Sequence, residues 1–156
     1  MKWDYEFDVV VVGSGNGALT SAICSHDGGA KTLVIEKSDQ YGGTSATSGG
    51  GVWIPNNRYA KAEKVDDSDQ DARDYINSVS PEGKIKDELV ETYIAEGPKM
   101  IDYLHENSQV KYRNLAHYPD YFPDNPGGKA GNRSMEPEPI KGTELGDDLG
   151  RLRGQH

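Results

Sequence analysis

The chain has 156 residues, of which 34% are hydrophobic and 28% charged, and its formal net charge is −9. That acidity excludes a protein that grips nucleic acid or an anionic membrane by charge. The single cysteine, Cys24, excludes a disulfide framework or a cysteine-built metal cluster.

The length suffices for one ordinary domain, yet the apolar residues concentrate in the first third, so much of the rest must lean on further chain or a partner. No window reaches the length of a membrane span and no signal-peptide pattern precedes Phe7; the expectation is a cytoplasmic protein with no integral membrane segment.

Residues 7–12 are β-branched and almost unbroken, which predicts a short buried strand. Residues 16–26 place Ala18, Leu19, Ala22 and Ile23 at helical spacing, and Asp27-Gly28-Gly29 supplies the stop. Cys24 reads as a small core residue on that helix. Residues 32–36 form a second buried strand, and so short a crossover demands parallel pairing. A glycine- and hydroxyl-rich loop follows over residues 41–55.

Ser68 is placed to cap a helix, with Asp71 three residues on and Ala72, Tyr75, Ile76 and Val79 at helical spacing. Residues 86–96 form another helix with Leu89, Val90, Tyr93 and Ile94 inward, and Pro98 either kinks it or starts a new turn. Beyond Tyr118 the chain is a long Pro/Gly-rich loop region, of the kind that is functional when ordered. His105 and His117 read as ordinary histidines. The acidic runs Asp66-Asp67-Ser68-Asp69 and Asp147-Asp148 read as solvated caps, and no metal site is expected.

The motif with chemistry is Gly13-Ser14-Gly15-Asn16-Gly17-Ala18, which fits G-x-G-x-x-[G/A] between a predicted strand and a predicted helix. Gly13 permits the tight turn, Gly15 lets the backbone approach a pyrophosphate, and Ala18 keeps helix and sheet close. The free amides and positive dipole end of the helix favour phosphate charge. Glu36, at the end of the second strand beside Lys37, lies about 20 residues past the glycines, where an acid meets ribose hydroxyls. A carboxylate there also repels a 2′-phosphate.

A second glycine loop argues for a flavin over a nicotinamide: Gly42-Gly43-Thr44-Ser45 can return to the pyrophosphate, and Ser48-Gly49-Gly50-Gly51 offers uncluttered backbone to an isoalloxazine ring. The fold class is therefore α/β: a Rossmann-like FAD-binding βαβ start of an incomplete doubly wound sheet, followed by helices and the loop region. Residues 1–57 make up the βαβ unit and second glycine loop, and residues 58–156 its helical and loop extension.

The stretches "GSGNGALTSA", "VIEKSDQYGGTSATSGGGVWIPNN", "HYPDYFPDNPGGKAGNRSMEPEP" and "GDDLGRLR" resemble the N-terminal part of the bacterial 3-ketosteroid Δ1-dehydrogenases, within the fumarate-reductase-type flavoproteins. The resemblance implies non-covalent FAD, a steroid-like substrate, hydride passing from C1 to flavin N5, and a proton taken from C2 by a tyrosine base. It implies that Tyr121 lines the active site and assists that base, with Tyr118 a weaker candidate for the role. It also implies that the base, the carbonyl-polarising groups and the catalytic domain lie beyond residue 156, so that the chain is a fragment or one part of a split enzyme whose partner is the remainder. Two other readings stay open: a fumarate reductase-like or Δ4-ketosteroid dehydrogenase flavoprotein, and a non-catalytic nucleotide-binding module.

Overall fold

The computed structural model describes residues 3–154, which form two compact units. One comprises the chain up to Gly49 together with the segment from Ile140 onward; the other is Gly50–Pro139. The division falls at Gly49 and again at Pro139, the C-terminal segment belonging to the first unit.

In the first unit β1 (Val9–Val12) and β2 (Thr32–Ile35) pair in parallel, Val9 opposite Thr32 through Val12 opposite Ile35, across helix α1 (Asn16–Asp27). Helix α1 packs on both strands and stops where the Gly28 and Gly29 amides donate to Cys24 O and His26 O. A 3-10 turn spans Gly43–Thr47 and a kinked 3-10 segment spans Gly142–Arg151. The latter delivers Leu152 to a parallel bridge with Tyr41, whose amide donates to Arg151 O and whose carbonyl accepts from Arg153.

Five side chains expected to be buried lie exposed here. Val10 and Val12 are 52% and 78% exposed, and Ile35 is also exposed, because α1 covers only one face of a two-stranded sheet. A cover this narrow buries only Ala22 of the helix and leaves Ile23 and Cys24 exposed.

The second unit holds a three-stranded antiparallel sheet in the order β3-β5-β4, made of β3 (Val52–Trp53), β4 (Tyr112–Asn114) and β5 (Ser134–Pro137). Val52 faces Met135, and Asn114 faces Met135 from the other side. Three helices accompany the sheet: α2 (Arg58–Ala62), α3 (Asp69–Val79) and α4 (Asp87–Asn107).

Ile54, Ile101, Tyr112 and Met135 form one buried cluster; Ala72, Val90 and Ile94 form a second between α3 and α4. Asn57, fully buried, caps α2 by accepting from the amides of Tyr59 and Ala60 while its own amide group donates to Ile54 O and Asn132 O. Ser68 caps α3 through the Asp71 amide as the sequence implies. Helix α4 runs unbroken through Pro98, and Leu89 and Tyr93 lie exposed on it, contrary to their expected inward positions. The Pro/Gly-rich region is an ordered loop closed back on itself: Asp120 N donates to Lys129 O, Asn125 N to Phe122 O and Gly128 N to Asn125 O.

Candidate cofactor site

The two glycine stretches and the acid of the first unit meet around one hydroxyl. Gly13 leaves β1 with φ +96°, a conformation side chains rarely adopt, and its amide donates to Ile35 O at 2.7 Å. The turn delivers Ser14, 2% exposed, to a point between Glu36 and Gly42. The Ser14 hydroxyl donates to Glu36 Oε2 at 2.5 Å and accepts from the Gly42 amide at 2.9 Å. Glu36 Oε1 accepts from the Ser38 amide at 3.1 Å. These two donors, Ser14 first, hold the Glu36 carboxyl below the usual carboxylate range. Each carboxylate oxygen still has lone-pair capacity for a further donor.

The second loop also touches the helix start directly. Ser45 Oγ accepts from the Asn16 amide at 3.0 Å, and a Cβ placed on Gly43 would stand 3.6 Å from the Gly15 Cα. The amides of Gly17 and Ala18, in the first turn of α1, have no acceptor within the helix. Space is open where side chains at Gly13, Gly17 and Gly49 would stand. A hydroxyl-braced loop pair, orphan amides at a helix start and a persistently charged acid are the donor set that a dinucleotide diphosphate and ribose require.

Comparison with known proteins agrees. The FAD binding domain family model matches residues 8–156. The chain belongs to the FAD binding domain family. Its cofactor is FAD. The 3-oxosteroid 1-dehydrogenase of Mycolicibacterium smegmatis is 42% identical over 144 residues, covering 92% of this chain and 25% of the relative. That of Mycobacterium tuberculosis is 41% identical over 147 residues, 94% of this chain and 26% of the relative. The crystal structure of the 3-ketosteroid Δ1-dehydrogenase of Sterolibacterium denitrificans in complex with 1,4-androstadiene-3,17-dione superposes with a TM-score of 0.87 at 41% identity, covering 96% of this chain and 26% of that one. The chain therefore spans about a quarter of the length of the relatives it matches.

Within this FAD-binding domain, the residues expected to hold the cofactor divide. Gly13 to Ala18, Glu36, and Gly42 to Ser45 are brought together in the first unit, where Lys37 lies exposed at the end of β2 and Thr44 O accepts from the Thr47 hydroxyl. Ser48 leaves the 3-10 turn, its amide donating to Ser45 O. Gly50 and Gly51 belong to the second unit. Gly50 has φ +70° with Pro137 against it, and Gly51 stands against Met135 O.

Also in the second unit, Tyr121 is 83% exposed and Tyr118 is 48% exposed. The neighbouring Tyr121 phenol raises Tyr118 above the ordinary tyrosine value, first as a hydrogen-bonding partner and then by charge.

His105 is half-buried and its Nδ1 meets the Tyr59 hydroxyl at 2.9 Å, while His117 is exposed. Among the described residues no cluster of three or more His, Cys, Asp or Glu is arranged for a metal ion, and no helix is long and apolar enough to cross a membrane.

Asp67 is no solvated cap: its side chain is 3% exposed and paired with Arg133. Arg133 and Asp120, buried with it, carried no local signal, since their partners lie 66 and 13 residues apart.

Proposed function

We propose that this chain is the flavin-binding part of a dehydrogenase that removes hydrogens from C1 and C2 of a 3-ketosteroid. The reading rests first on the Ser14 junction, where the first glycine turn, the second glycine loop and Glu36 share one hydroxyl and so form a single cradle. Gly15, Gly17 and Ala18 would offer backbone to the diphosphate, Thr44 and Ser45 their hydroxyls and amides, Glu36 its carboxylate to a ribose, and Gly49, beside which space is open, its backbone to the ring. FAD, when bound, supplies the hydride acceptor.

The steroid assignment draws on the names of the relatives and on Tyr121, an exposed phenol beside Tyr118. A phenol is a weak base near neutral pH, and a donated hydrogen bond spreads charge developing on a tyrosine oxygen. We assign Tyr121 to the active site as the aid to a base that sequence beyond these residues supplies, the substrate and the remaining catalytic groups being the partners of this chain.

The test uses the protein as its gene encodes it. The dienone bound in the Sterolibacterium structure derives from 4-androstene-3,17-dione by loss of two hydrogens. Anaerobic addition of 4-androstene-3,17-dione to the FAD-loaded protein is expected to bleach the oxidised flavin band and yield the 1,4-dienone. A flavin that stays oxidised over excess steroid, in protein that binds FAD, overturns the assignment.

A further inference from the structure

The densest buried charge in the second unit has no part in the reading above. Arg133, 1% exposed, sits between two carboxylates, with Nη2 2.7 Å from Asp67 Oδ1 and Nη1 2.9 Å from Asp120 Oδ2. Asp120 accepts further from the Trp53 indole at 2.6 Å and the Lys129 amide at 2.9 Å. Asp67 accepts from the amides of Asn56 and Ser68. The Trp53 and Tyr75 rings lie 5.4 and 5.7 Å from the guanidinium carbon.

A buried guanidinium with two carboxylates is a poor route to stability, because desolvation offsets the attraction and apolar replacement is often as stable. What this set visibly does is join segments distant in the chain. It ties the stretch from Trp53 to Asn56, the start of α3 and the loop at Asp120 to one point. Tyr121 follows directly. The backbone on both sides of it is pinned: the Asp120 amide donates to Lys129 O at 3.0 Å and the Phe122 amide to the Tyr75 hydroxyl at 3.3 Å. The Tyr121 ring itself is mostly exposed. An exposed ring between two immobilised neighbours is presented, not packed.

We propose that Asp120, clamped by Arg133 and Trp53, is a positioning residue that presents the Tyr121 phenol for work on the substrate. Its catalytic meaning rests on the assignment of Tyr121 to the active site; the clamp itself does not.

The deciding measurement is the titration of tyrosine 13Cζ resonances in the full protein. In the wild type Tyr118, beside the Tyr121 phenol, is expected to titrate above an ordinary tyrosine. In Asp120→Asn, which keeps the shape and loses the charge, Tyr118 is expected to fall back toward the ordinary value. A folded Asp120→Asn protein with Tyr118 unmoved overturns the proposal. Should that variant not fold, Trp53→Phe removes the indole donor while keeping an aromatic ring beside Arg133, and an unmoved Tyr118 there is equally fatal.

Turnover of 4-androstene-3,17-dione separates the two claims. Tyr121→Phe is expected to lower kcat by about tenfold or more with KM within about twofold, and Asp120→Asn to follow it in the same sense. If Tyr121→Phe keeps full kcat, the active-site assignment fails, while the Tyr118 titration still decides the clamp.

Discussion

Replacing Ser14 with Ala separates the bracing of the cradle from the chemistry of the acid beside it. The substitution deletes a hydroxyl that is 2% exposed and engaged on both sides. Its two losses differ in size. The Gly42 amide is left buried without an acceptor, and an unsatisfied donor of that kind costs about 1–3 kcal/mol. Glu36 lies nearer solvent, so water replaces the lost donor and adds little. The expected destabilisation is therefore about 1–3 kcal/mol, read as a lower urea midpoint at unchanged m-value.

Glu36→Gln is the counterpart, because the amide oxygen still accepts from Ser14 and the Gly42 bond is untouched; stability should fall by clearly less than in Ser14→Ala. The pH dependence follows from the depressed Glu36 carboxyl, whose ordinary value is 4.5. A lowered folded value adds stability that is present above the unfolded value and lost as pH falls through the folded one. The gap between wild type and Ser14→Ala should accordingly narrow below about pH 4.5. A Ser14→Ala protein with the wild-type midpoint, or a Glu36→Gln protein as unstable as Ser14→Ala, refutes the argument that the amide of Gly42 is the weight-bearing partner.

Glu36→Gln should nonetheless weaken FAD by about tenfold or more, since a charge-assisted bond to ribose is lost, as measured by quenching of flavin fluorescence. Gly15→Val should leave the fold intact, because a Cβ there meets only Ser45 Oγ at 3.5 Å, yet raise the FAD dissociation constant by about a hundredfold by filling the approach of the diphosphate. Arg133→Met leaves Asp67 and Asp120 facing each other unneutralised and should destabilise the second unit by about 3–5 kcal/mol in thermal or urea unfolding. Ser68→Ala removes the cap of α3 and the hydroxyl that most depresses the Asp71 carboxyl; a loss of about 1 kcal/mol is expected at neutral pH, shrinking as pH falls below the ordinary Asp value of 3.8.

What the sequence made legible is what the backbone decides locally. The strand-glycine-helix-strand order, the Ser68 cap and the stop at Gly28 each depend on residues within a few positions of one another, and each stands where spacing places it. Burial was less legible, because a run of four valines carries no mark of whether one or both faces of its sheet are covered; alternation in the structure exposes Val10 and Val12.

The hydroxyl of Ser14 was hidden for a different reason. It occupies a variable position of the glycine motif, and its importance arises from Glu36 and Gly42, 22 and 28 residues away. Asp67 was misread on the same ground: beside a true helix cap it looks like more of the cap, and only the fold brings Arg133 across 66 residues to meet it. Long-range polar contacts leave no period in a sequence, yet they brace both the loop pair around Ser14 and the tyrosine loop at Asp120. Glycine spacing therefore reveals where a backbone can approach a ligand, whereas the groups that hold that backbone still must be sought among buried polar side chains whose partners are distant in the chain.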